Sequence, residues 1–122
     1  MIGQFVAMLF LARDLAHIEH LRVRGPGSYA AHQALGSFYD DIVGLADGLV
    51  EAYQGRTGEM VQIDRFGDSK PQDIVVALEA QIKWLEANRY KAISKEDSPL
   101  QNIVDEVVTT YLRTLYKLKN LQ

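Results

Sequence analysis

Apolar residues recur along this chain at gaps of three and four, in four blocks separated by glycine, proline and polar punctuation. The first block, residues 2–23, sets Ile2, Phe5, Val6, Leu9, Ala12, Leu15 and Ala16 on one helical stripe and stops at Gly25-Pro26-Gly27. The second begins at Ser28, read as its N-cap, and runs to about Gln54 before Gly55 and Gly58 end it. Its inward stripe is Leu35, Phe38, Ile42, Leu45, Leu49 and Ala52. Residues 59–68 are the least regular. Their apolar run Met60-Val61-Gln62-Ile63 is too short and isolated to build a sheet, so the segment reads as a crossover. A third helix opens at Ser69 or Pro71, carries Ile74, Leu78, Ile82 and Leu85 on one face, and ends between Asn88 and Ile93. The fourth opens on Ser98-Pro99-Leu100-Gln101, read as a capping box with proline at the first helical position. It turns Val104, Val107, Tyr111, Leu115 and Leu118 inward and places Lys117 and Lys119 at the negative end of its dipole.

Four amphipathic helices, with a tight turn inside each pair and one longer connection between pairs, predict an all-α fold in one domain over residues 1–122. The expected architecture is a four-helix bundle of ferritin-like topology with a short crossover between helices two and three. Periodicity alone leaves a simple up-and-down bundle open. A chain of 122 residues builds one core, and 48% hydrophobic with 24% charged residues is ordinary globular composition. The absence of cysteine excludes disulfides, thiol catalysis and cysteine-ligated zinc or iron–sulfur sites. The apolar start Met1–Ala12 lacks a basic leader and runs into Arg13 and Asp14, and no block reaches the ~20 apolar residues of a membrane span. A soluble, cytoplasmic protein is expected. With a net charge of −3 and no lysine- or arginine-rich end, strong nucleic-acid binding is not.

Candidate chemistry gathers in the first hairpin. The three histidines are His17, His20 and His32; His17 and His20 share a helix face, and His32 stands just across the Gly-Pro-Gly turn. Further along the second helix, Asp47 and Glu51 lie near the angular stripe of His32. Two imidazoles and two carboxylates suit iron, manganese or zinc. His32 and Glu51, however, are about 28 Å apart at 1.5 Å rise per residue, so they cannot share an ion within one chain. A dimer with antiparallel second helices would bring His20 and His32 of one copy against Asp47 and Glu51 of the other. Singly, each of these residues is more often a solvated or hydrogen-bonded surface group. Glu79, Glu86, Asp105 and Glu106 read as solvated charge. The paired Glu-x-x-His of di-iron bundles, phosphate-cradling glycine loops and dinucleotide fingerprints are all missing.

From Ala16 to Gly55 the sequence resembles the Dps group of mini-ferritins, whose hallmark is a histidine, a glycine-containing turn, a second histidine, then an aspartate and a glutamate. His20, Gly25, His32, Asp47 and Glu51 match those offsets without a gap. The resemblance implies a ferroxidase centre shared between two subunits, with iron as substrate, hydrogen peroxide as oxidant, a role against oxidative stress, and a closed homo-oligomer, a dodecamer in that group. The chain departs from the pattern at Leu21, where Dps proteins carry tryptophan, and at Gly36, where they carry a further acidic ligand. Asp40 stands one turn beyond. The lysine-rich terminal tail with which some Dps proteins hold DNA has no counterpart here. The short length also resembles ferritin-like chains of bacteriophages, which implies as the alternative a catalytically degenerate structural or assembly protein, located in the virion if phage-encoded.

Overall fold

The computed structural model describes residues 1–65 and 72–122. Regular structure among them consists of four helices, α1 (Ile2–Arg22), α2 (Ser28–Thr57), α3 (Ile74–Ala92) and α4 (Ser98–Asn120), with no strand. The expected openings of the third helix, Ser69 and Pro71, lie outside the described residues. As seen, α3 is capped by Asp73, whose carboxylate accepts from the N–H groups of Val75 and Val76.

Two expected caps move by one residue, for local reasons. Ser28 is the first residue of α2 and Gly27 is its cap, at φ 80°. Gly25 is also left-handed, at φ 91°, and its carbonyl accepts from the Ser28 N–H at 3.0 Å. A turn that uses two left-handed positions needs glycine at both. At α4 the cap is Asp97, which accepts from the Leu100 N–H, while Ser98 and Pro99 sit inside the first turn. Gly55 does not stop α2. The helix continues to Thr57, and Gly58, left-handed at φ 74°, closes it with its N–H on the Gln54 carbonyl.

The core follows the expected stripes, with one exchange. Phe5, Leu9, Ala12, Leu35, Phe38, Ile42, Leu49, Leu78, Ile82, Leu85, Val104, Val107, Tyr111 and Leu115 are buried in one cluster. On α2, Ala46 is buried and Ala52 is exposed, the reverse of the sequence expectation. Polar groups in this core are paired. The Tyr111 hydroxyl donates to Gln81 Oε1 at 2.9 Å, and Gln101 accepts from Arg89 while donating to the carbonyls of Ile93 and Ser94. No buried side-chain donor or acceptor among the described residues lacks a partner.

Helix directions follow from contacts between ends. Arg56, in the last turn of α2, pairs with Asp97 at the start of α4. Lys119, near the end of α4, pairs with Glu79, near the start of α3. Gly27, at the α1–α2 turn, faces Gln122. Neighbouring helices are therefore antiparallel: α1 packs on α2 and α3, and α4 packs on α2 and α3, while the backbones of the diagonal pairs stay apart. Because α2 and α3 are diagonal and run the same way, the chain leaves α2 at one end of the bundle and enters α3 at the other. It sets out along α1. Gln62 crosses Gly3 so closely that a Cβ there would run into its carbonyl oxygen, and Ile63–Arg65 then lie beside Phe10, Arg13 and Asp14. None of the described helices is long and apolar enough to cross a membrane.

Candidate functional site

The α1–α2 turn brings the histidines together. His20, in the last turn of α1, and His32, in the second turn of α2, stack face to face with ring centroids 3.7 Å apart and planes 18° from parallel. His20 Nδ1 lies 2.7 Å from the His32 carbonyl oxygen, and His32 Nδ1 lies 2.8 Å from the His20 carbonyl oxygen. A carbonyl only accepts, so each Nδ1 carries a proton and donates it. In the neutral rings that leaves Nε2 of both imidazoles with its lone pair. Metal-ligating histidines are commonly oriented in this way, with the second ring nitrogen anchored to a carbonyl.

Around this pair the structure places two more rings. Tyr39 stacks on His17, with centroids 4.3 Å apart, and meets His20 edge-on at 5.4 Å. Sequence reasoning singled out His17 without a partner and passed over Tyr39. The available signal was its position two turns after His32 on the same side of α2. Gly36, named above as a missing acidic ligand, lies directly against the His20 ring. All of these side chains are partly solvent-exposed.

Asp47 and Glu51 are elsewhere. Both are exposed on α2, about 22 and 28 Å beyond His32 along the helix. Asp47 borders a trough between α1, α2 and residues 63–65, floored by Ala7, Leu9 and Ala46 and edged by Phe10, Arg13, Asp14 and Val43. Within one chain the structure therefore assembles the two imidazoles and leaves the two carboxylates apart from them. No group of three or more His, Cys, Asp or Glu among the described residues is placed to hold a metal ion. Asp40 is exposed on α2, and the acids of α3 and α4 serve as surface ion-pair partners where they pair at all, as Glu79 does with Lys119 and Asp105 with Arg89.

No curated protein and no solved structure matches the chain. One family model, described as a family of unknown function (DUF5856), matches residues 20–118. Its span opens at His20 and takes in the stacked pair, all of α2 and α3 and nearly all of α4. With most of its length matched, the chain belongs to DUF5856, a family of unknown function.

Proposed function

We propose that this chain is a ferritin-like mini-ferritin whose substrate is ferrous iron, bound where His20 and His32 of one copy meet Asp47 and Glu51 of a second. The observation that carries the reading is the anchored imidazole pair, two rings held by main-chain carbonyls through Nδ1–H with both Nε2 lone pairs left for a ligand. Two supports stand beside it. The directions of the four helices put the end of α2 and the start of α3 at opposite ends of the bundle, which fits the one long crossover that ferritin-like folds use. The acidic pair lies too far along α2 to reach the imidazoles of its own chain, so a second copy has to supply it. By the resemblance to Dps proteins, peroxide would oxidise the bound iron and a closed oligomer would hold the product.

The test is an anaerobic Fe(II) titration of the purified protein, followed by addition of peroxide, with mass measured by light scattering. Binding by an assembly of at least two chains is expected, with His20→Ala and Glu51→Ala each sharply weakening it. His20→Ala also removes a stacked, hydrogen-bonded ring and lowers stability, so Glu51→Ala, which alters only an exposed side chain, is the cleaner variant. A stable 13.7 kDa monomer that binds iron stoichiometrically would sink the shared-site model.

One observation favours a second reading, in which the bundle has a structural or assembly role. His20 and His32 bond to each other's main chain and stack on each other, so they form a complete clasp of the α1–α2 hairpin without any metal. Absence of iron binding in the wild type, with assembly intact, selects it.

A further inference from the structure

We propose that Gly36 is the positioning residue for His20, and that its missing side chain fixes which nitrogen of that imidazole carries the proton. A Cβ at position 36 would stand 3.1 Å from His20 Cε1 and 3.3 Å from Nδ1, closer than a packed ring tolerates without moving. The ring is partly exposed, but it cannot shift without disturbing the contacts that hold it. One face is stacked on His32 at 3.7 Å and Tyr39 closes on it edge-first at 5.4 Å. The atom nearest the intruding carbon, after Cε1, is the nitrogen that donates to the His32 carbonyl at 2.7 Å. Displacing the ring therefore stretches that bond first. Once the Nδ1–H has lost its acceptor, nothing else described in the structure keeps the proton on Nδ1 rather than Nε2.

Other glycines of the same helix show that this is particular to position 36. A Cβ on Gly44, Gly48 or Gly55 would meet nothing within 4 Å. A glycine inside a helix is unfavourable for backbone entropy, and at those three positions no contact opposes its replacement. At Gly36 the His20 ring does. The placement also reverses what the resemblance to Dps proteins implies for this position. An aspartate at 36 would bring a carboxylate, but its Cβ would first dislodge the imidazole beside which that carboxylate is meant to work. The consequence for iron rests on the function proposed above, whereas the tautomer and packing arguments do not.

Four variants in the full chain test it: Gly36→Ala, Gly44→Ala, His20→Ala, and Gly36→Ala combined with His20→Ala. Imidazole 15N spectra of the wild type, taken where the ring is uncharged, should show the single His20 ring proton on Nδ1. Gly44→Ala should leave that signature unchanged and raise Tm by about 4 °C through helix propensity. Gly36→Ala should mix the two tautomers and lower Tm below wild type. If it fails to fold, the double variant decides: added to His20→Ala, Gly36→Ala should raise Tm as Gly44→Ala does, because the obstructing ring is gone. Retention of the wild-type tautomer in Gly36→Ala, or no rescue in the double variant, overturns the proposal. Iron enters as a separate arm. If the wild type binds Fe(II), Gly36→Ala and Gly36→Asp should each weaken binding by about tenfold or more, and tighter binding by Gly36→Asp would count against the proposal. If the wild type binds none, the function proposed above fails while the spectra and the rescue still decide the role of Gly36.

Discussion

The phenol of Tyr111 has no solvent contact, and its hydroxyl donates to Gln81 Oε1, itself on a buried side chain. Desolvation pushes its pKa well above the ordinary tyrosine value. The proton is retained in the fold and lost more readily in the unfolded chain, so this group's contribution to stability is present below about pH 10 and declines as pH rises past it. Alkaline unfolding setting in above that pH, with Tyr111→Phe blunting it, is the expected result of denaturation curves taken between pH 8 and 12. At neutral pH, Gln81→Leu should cost about 1–3 kcal/mol by leaving a buried hydroxyl without an acceptor. The double change Gln81→Leu/Tyr111→Phe should cost less than the sum of the single ones, measurable from urea midpoints. Tyr111 was legible in the sequence as a core position from its spacing. Its partner was not, because Gln81 is polar and a hydrophobic pattern passes over it. The histidines divide in the same way. Their nearness across the turn follows from the chain order, but the exchange of Nδ1–H bonds depends on how far α1 and α2 slide past each other.

At the scale of the elements, the helix ends decide more than the helix middles. The α4 N-terminus combines a cap and an ion pair in one residue, since Asp97 accepts from the Leu100 N–H and pairs with Arg56 at 3.2 Å. Its carboxylate is largely buried and the arginine is more exposed, so the pair adds less than about 1 kcal/mol to a cap worth about the same. Thermal melts of Asp97→Ala should show a loss of about 1–2 kcal/mol, while Ser98→Ala should stay within a few tenths. That order is opposite to the one implied by reading Ser98 as the capping residue. The sequence offers both residues next to each other, and helix propensity alone does not choose between them. The contact with the end of α2 does. Gly3 illustrates the same dependence, because nothing local to α1 asks for a glycine there, and only the passage of Gln62 across it does.

For the whole molecule, the charge balance and the surface lead to an expectation about partners. A net charge of −3 with mixed-sign ion pairs on the outer faces leaves few phosphate contacts to release counterions. Binding to duplex DNA should accordingly be weak and should vanish between 50 and 200 mM salt in a gel-shift titration. A complex that survives high salt would mean that assembly gathers arginines and lysines onto one surface. The exposed Phe10 and Val43 lie on the same α1–α2 side as Asp47, which is where the proposed second copy would have to approach.

The four helices and nearly all of their buried stripes were determined by the sequence itself, because a helix in a bundle must repeat its apolar residues every three or four positions to bury one face. The turn at Gly25-Pro26-Gly27 was determined there too, since two left-handed positions call for glycine. The tertiary structure decided which helices are neighbours, that the connection after α2 climbs along α1, and that Gly36 faces the His20 ring. It also decided that His20 and His32 bond to each other's main chain while Asp47 and Glu51 stand far along α2. Periodicity specifies a face and not what lies against it. The register between two packed helices is set by side chains interlocking across the whole interface, so a shift of one turn would have kept every stripe buried and separated the two imidazoles.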